Sequence, residues 1–254
     1  MTATFRDARQ CSISELESLL LVSRDDLVLA APQVASCPRL IRDRQLVAVV
    51  PDFLEYARLL SVGQARAMLG RAGSWQNIMR AMFAAARAVA KQPGKALKTD
   101  FWLVAEALLR YDLALLRDFH GAVVLHPYLT DFAVALSQEW FLQLFFDLAK
   151  CWHARGIWTY QFPLAASALA RLGIPCDVVV FASSQLDLDS QRVNREIKGL
   201  ELFRRTMLLL DLAPARVTTE PPWERIVERF DSIDGVVLPW ERREETLKKQ
   251  VAER

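Results

Sequence analysis

One histidine stands where a proton-transfer residue would be needed, directly after a run of apolar residues. His126 follows the run 122–125 and is one of three histidines in the 254-residue chain. Imidazole is suited to acid/base chemistry near neutral pH and is also a common metal ligand. The sequence predicts that His126 transfers a proton, and that Tyr128, two residues later, binds substrate. The alternative is a structural histidine that is hydrogen-bonded where the run ends.

Two aspartates also follow apolar runs and are the predicted charged partners of His126. Asp211 follows the run 207–210, and Asp52 comes directly after Pro51 at the end of another run. A carboxylate close to an imidazole orients the ring or acts as a base itself. The predicted catalytic residues are therefore His126, Asp211 and Asp52.

Polar or aromatic side chains end the remaining apolar runs, and we expect them to hold a substrate. The predicted substrate-binding residues in these positions are Tyr128, Tyr160, Gln161, Ser183, Ser184 and Trp240. The two serines lie outside any G-x-S-x-G motif, so a nucleophile elbow is disfavoured and contact with an anion is favoured. Trp240 would form a wall of the pocket.

The chain contains no acidic residue between Glu55 and Asp100, although that stretch contains eight lysines and arginines. In one interpretation Arg71, Arg80 and Lys98 belong to a lid that attracts an anionic substrate. In another, the stretch is an outer helix whose arginines meet acids of the same fold or of a partner subunit. Its many alanines and methionines also suit a homo-oligomer interface. Nucleic acid is disfavoured because the net charge is only +2.

Several cofactor and metal chemistries lack their motifs. The chain has nine glycines and neither a G-x-G-x-x-G nor a Walker sequence, so no nucleotide cofactor is predicted. It also lacks H-x-H and H-E-x-x-H motifs and zinc-type cysteine spacing. A divalent metal would need His126 together with Asp52 or Asp211 from distant strands, and none is predicted.

The apolar runs themselves predict the fold. Seven strand candidates alternate with segments long enough for crossover helices, a rhythm typical of a parallel sheet. The candidates cover 27–31, 45–50, 122–126, 157–161, 177–183, 206–211 and the segment from 235. The predicted helices between them include 131–154, and 163–172 ending at Gly173.

We predict a (β/α)8 TIM-like barrel, irregular in its first third, where an eighth strand would lie. The alternative is an open doubly wound parallel sheet. Residues 1–254 would form a single domain, with 54–99 as a basic helical segment that serves as a lid or an interface insertion. The carboxyl ends of the strands would then gather the predicted site residues on one face.

Together these features predict a cytoplasmic barrel enzyme that acts on a small anionic metabolite by acid/base chemistry. Lyase, isomerase and hydrolase reactions all remain open. With 52% hydrophobic residues but no apolar run of about eighteen, a membrane partner is not expected. The alternative function is a non-catalytic binding or scaffold protein on the same barrel. It would use the basic stretch 57–99 for self-association or for an acidic partner.

Overall fold

The computed structural model describes residues 3–9, 16, 26–36, 45–61, 75–92, 94, 100–182, 206–211 and 233–239. Eight parallel strands in this part of the chain close into a barrel in sequence order. They are β1 Ala3–Asp7, β2 Asp26–Ala30, β3 Leu46–Val50, β4 Ala122–Leu125, β5 Ala154–Thr159, β6 Val178–Ala182, β7 Met207–Asp211 and β8 Gly235–Pro239. The predicted α/β barrel is thereby confirmed.

Seven α-helices lie between strands in the described residues. They are α1 Ala31–Ser36, α2 Phe53–Ser61, α3 Trp75–Lys91, α4 Phe101–Leu115, α5 Pro127–Ala135, α6 Trp140–Leu148 and α7 Phe162–Leu172. A 3-10 turn, Ala149–Cys151, follows α6. None of the described helices is long and apolar enough to span a bilayer.

Alternate residues of each strand enter one of two separate cores. Phe5, Val124, Trp158 and Leu209 belong to a cluster that fills the barrel interior. Their strand neighbours, such as Leu125, belong to a larger cluster between the strands and the surrounding helices. Because side chains alternate between the two faces of a strand, this division identifies which residues point inward.

The first strand was not assigned from the sequence, although an eighth strand was expected in this third of the chain. Its sequence, Ala-Thr-Phe-Arg-Asp, places only Phe5 in the interior cluster. Strand β1 pairs with β2 on one side and β8 on the other, with Phe5 aligned to Val237. The strand β1 is thus recognised by its pairing with β2 and β8, because its own composition is too polar to indicate a strand.

The helix predicted over 131–154 is interrupted. Helix α5 ends near Leu136, Ser137 has a positive φ of 55°, and α6 begins at Trp140. The apolar periodicity runs across this break, which is why the sequence indicated one helix. The end of α7 was predicted correctly, since Gly173 caps it with φ 64°, the left-handed region that glycine tolerates best.

Candidate functional site

Four polar side chains face the barrel axis at the carboxyl ends of their strands. Asp7 ends β1, His126 follows β4, Tyr160 follows β5 and Asp211 ends β7. Each lies two residues beyond a member of the interior cluster, namely Phe5, Val124, Trp158 and Leu209 respectively. The two-residue period of a strand therefore turns all four inward. In barrels of this kind the carboxyl ends of the strands form the mouth, where active sites are built.

Arg9 lies at the centre of this group and was not predicted. Its guanidinium binds Asp7 through two hydrogen bonds, from Nε at 2.8 Å and from Nη2 at 2.7 Å. The guanidinium carbon lies 4.1 Å from the ring centroid of Trp158. The positive charge of Arg9 also interacts with His126, Asp211 and Tyr160. Its position two residues beyond β1 became recognisable only once that strand was known.

His126 is held as the N-cap of α5, with Pro127 as the first helical residue. Its backbone N–H donates to the Val50 carbonyl at 2.8 Å, and its Nδ1 accepts from the Tyr128 backbone N–H at 3.3 Å. Burial, and secondarily the charge of Arg9, lowers the pKa of His126 to about 3. Since Nδ1 is the acceptor in a neutral ring, Nε2 must carry the proton. At neutral pH His126 is thus a hydrogen-bond donor without charge.

The lowered pKa of His126 predicts a specific loss of stability in acid. In the unfolded chain the imidazole takes up a proton below about pH 6.5, whereas in the fold it stays neutral down to about pH 3. The free energy of unfolding should therefore fall between pH 6.5 and 3, by up to about 1.4 kcal/mol per pH unit from this group. Replacing His126 by Gln should remove that component. Urea unfolding of both proteins at pH 7 and pH 5 measures the difference, and equal pH slopes would contradict the assignment.

Tyr160 is positioned by a carboxylate from the preceding helix. Asp131 in α5 accepts hydrogen bonds from the Thr159 hydroxyl and from the Tyr160 backbone N–H at 3.1 Å. The Gln161 backbone N–H in turn donates to the Thr159 hydroxyl at 2.9 Å. Burial, and then the nearby charge of Asp211, raises the pKa of Tyr160 to about 12. The Tyr160 hydroxyl therefore stays protonated, and Asp131 fixes the backbone that carries it.

Aromatic rings line one side of the mouth. The Tyr128 ring lies 5.5 Å from His126 and 6.0 Å from Tyr160, measured between centroids. Phe53 approaches the other side of His126 at 6.3 Å, and Phe132 lies 6.4 Å from Tyr128. The structure thus brings together His126, Tyr128 and Tyr160, which the sequence had placed at the ends of two different strands. The rings of Phe53, Tyr128 and Phe132 form an aromatic wall beside His126 and Tyr160.

Asp52 lies in a different environment from Asp211. Its backbone N–H donates to the buried Asp112 carboxylate at 2.8 Å, and its charge helps to raise the pKa of Tyr56. Both neighbours belong to helices that pack outside the barrel. Pro51, one residue earlier, has the inward strand parity. A shift of one residue at the end of the strand thus decides whether a side chain faces the mouth or the outer helices, and Asp52 faces the helices.

The remaining predicted residues are not part of this group. Arg80 is exposed on α3, a helix packed against α4. Arg71, Lys98, Ser183, Ser184 and Trp240 lie outside the described residues. Among the described side chains no group of three or more His, Cys, Asp or Glu residues is arranged to hold a metal ion.

The clearest cavity in the described part of the molecule lies at the opposite end of the barrel. Its volume is about 680 Å³, and strand-initial residues such as Ala122, Ala154 and Met207 line it. His120 and His153, the other two histidines, also line this cavity and are exposed. No strand-end polar group of the mouth reaches it, so we place the candidate site at the mouth.

Comparison with known proteins gives no relative from which a function could be inferred. No family model matches the chain, and neither does any curated protein or any solved structure. The barrel, and the residues that meet at its mouth, are therefore the basis for assigning chemistry to this protein.

Proposed function

We propose that the protein is an enzyme that moves a proton at a carbon next to a carbonyl group, as isomerases and lyases do. One observation carries this proposal: a buried carboxylate, Asp211, and a neutral imidazole donor, His126, face the same mouth around Arg9. Removing a proton from such a carbon needs a base and a group that stabilises negative charge on the carbonyl oxygen. The mouth supplies one residue for each task.

In this proposal Asp211 is the base. It takes a proton from the substrate carbon. The electron pair of the broken C–H bond forms a double bond to the carbonyl carbon, and the π pair of the C=O bond moves onto the carbonyl oxygen. In a hydroxycarbonyl substrate, return of the proton to the former carbonyl carbon, with transfer of the hydroxyl proton between the two oxygens, gives an isomer. Loss of a leaving group from the carbon on the far side of the deprotonated carbon gives an elimination product. Both outcomes proceed without a nucleotide cofactor. Hydrolysis, the third class left open by the sequence, is the alternative reaction, because a neutral donor can also stabilise the oxyanion of a hydrolytic intermediate.

His126 serves as the hydrogen-bond donor to the carbonyl oxygen, in place of the proton transfer expected from the sequence. A pKa of about 3 leaves the ring neutral at physiological pH, with its proton on Nε2. A neutral imidazole at a helix N-terminus can polarise a carbonyl while holding its own proton. The N-terminal end of α5 adds a favourable partial positive charge at the same point.

The charges at the mouth narrow the substrate that was expected from the sequence. Among the described residues at the mouth, Asp7 and Asp211 contribute negative charge beside Arg9, which is positively charged, and His126 is neutral. A substrate with several negative charges would be repelled by this arrangement. We propose a small carbonyl compound with at most one negative charge, bound at Arg9, with its apolar part against Tyr128 and Tyr160.

Deuterium exchange tests the reaction class without knowledge of the substrate. We expect the full-length protein in D2O to replace the protons next to the carbonyl in at least one compound of a panel. The panel contains small hydroxyketones, hydroxyaldehydes and 2-oxo acids, and loss of the proton signal is followed by NMR. Buffer alone and heat-denatured protein are the controls. Absence of catalysed exchange across the whole panel would count against the proposal.

A further inference from the structure

Helix α3 carries two apolar faces, of which the described part of the chain covers only one. Ile78 and Ala81 are buried in one cluster with Tyr111 and Leu115 of α4, Ala85 packs against that cluster, and Ala88 is also buried. The recurrence of three and four residues between them is that of a helix face directed at the core. This face accounts for the attachment of α3 to the barrel.

The second apolar face of α3 is exposed. Trp75, Met79, Met82, Ala86 and Val89 follow one another at intervals of four, three, four and three residues. That spacing is the a/d seam of a coiled coil, through which one helix packs against another. Trp75 is 69% exposed, Met82 45% and Val89 41%, and Phe83 beside the seam is 67% exposed. Apolar side chains at this spacing on an exposed helix indicate a helical partner.

We infer that this seam, comprising Trp75, Met79, Met82, Ala86 and Val89, binds a second copy of the chain, with the two α3 helices antiparallel. A two-fold axis midway between Met79 and Met82 sets Trp75 opposite Ala86 of the second copy. The same axis sets Met79 opposite Met82 of the second copy. The largest side chain of the seam then meets its smallest, which is the condition for close packing of two identical surfaces.

The exposed area of the seam together with Phe83 comes close to that of a weak dimer. Side chains of about 150–250 Å² with the exposures given above offer about 450 Å² per copy, or about 900 Å² for the pair. Specific interfaces generally bury more than about 1,000 Å², so neighbouring residues must add a little to the seam. We therefore expect association in the micromolar range rather than an obligate dimer.

The basic residues of α3 lie clear of the seam. Arg80, Arg87 and Lys91 are exposed, and at 100° per residue they fall on one flank of the helix. In the antiparallel pair these flanks point away from the contact, so the cations stay in water. A basic face opposite an apolar one also occurs on helices that lie on anionic lipid, so lipid vesicles are included in the test. The inference concerns α3 alone and does not depend on the reaction proposed for the mouth.

Sedimentation equilibrium of the full-length protein across a wide dilution series tests the inference. We expect the average mass to rise with concentration from 28.8 kDa towards twice that value. Met82→Lys introduces a charge into the seam at an exposed position and should hold the protein at the monomer mass. Gln76→Lys introduces the same charge on the same helix outside the seam and should behave as wild type.

Cross-linking tests the register. With Cys151 replaced by Ser to remove an exposed thiol, a mixture of Trp75→Cys and Ala86→Cys proteins should form mixed disulfide dimers. These should exceed the disulfide dimers formed by either variant alone. A monomer mass at every wild-type concentration would overturn the inference. So would a wild-type monomer that sediments with phosphatidylglycerol vesicles and loses this property in Arg80→Glu/Arg87→Glu, since the seam would then face lipid.

Discussion

Replacing Asp211 by Asn should slow the exchange of protons on the carbon next to the carbonyl by about 10²–10⁴-fold, the range typical of a lost general base. The amide keeps the shape of the side chain but cannot accept a proton from carbon. The rate is measured by NMR in D2O on whichever compound of the panel the wild-type protein exchanges. Circular dichroism and urea unfolding establish that the variant remains folded.

Two other aspartates serve as comparisons for Asp211. Asp118→Asn changes an exposed carboxylate that lines the cavity at the far end of the barrel, and it should leave the exchange rate unchanged. Asp52→Asn separates the two carboxylates that the sequence alone proposed as partners of His126. If Asp52→Asn abolished exchange while Asp211→Asn did not, the base would have to be reassigned to the outer carboxylate.

The largest loss of stability is expected from Asp112→Ala. Asp112 in α4 is fully buried and accepts hydrogen bonds from the Tyr56 hydroxyl and the Asp52 backbone N–H. The truncation leaves both donors without this acceptor and opens a void, which together should cost about 3 kcal/mol of unfolding free energy. Urea unfolding measures the loss.

An exposed aspartate provides the matched control for Asp112. Asp147 in α6 accepts from Gln143 at 3.1 Å on the surface, so Asp147→Ala should change the unfolding free energy by no more than about 0.5 kcal/mol. Equal losses from the two substitutions would mean that the buried network contributes little. Such a result would leave the attachment of α2 and α4 to apolar packing alone.

The sequence predicted the barrel because seven of its strands are apolar runs with crossover segments between them. It also located His126 correctly after β4, since a short apolar run followed by a proline marks where a strand gives way to a helix. These features are local in the chain. A reading of periodicity and helix signals can recover them without knowledge of the tertiary structure.

The electrostatics of the mouth could not be predicted in the same way. Arg9 follows β1, which is held between β2 and β8. The position of Arg9 therefore depends on closure of the barrel. The neutrality of His126 results from burial and from that same arginine, which comes from a distant part of the chain. The role of a residue thus depended on contacts that no local pattern records, even where its location was correct.

The pairing of β1 with β8 has a consequence for how the mouth of the barrel is assembled during folding. Phe5 of β1 aligns with Val237 of β8, so two segments separated by most of the sequence close the barrel. Contacts of such long range are slow to form, because chain entropy is lost in closing the loop before the contacts stabilise it. Asp7 and Arg9 lie at the end of β1, whereas His126 follows β4. The proposed site would therefore be complete only once β1 and β8 have paired, and recovery of the proposed proton exchange during refolding would follow the closure of the barrel.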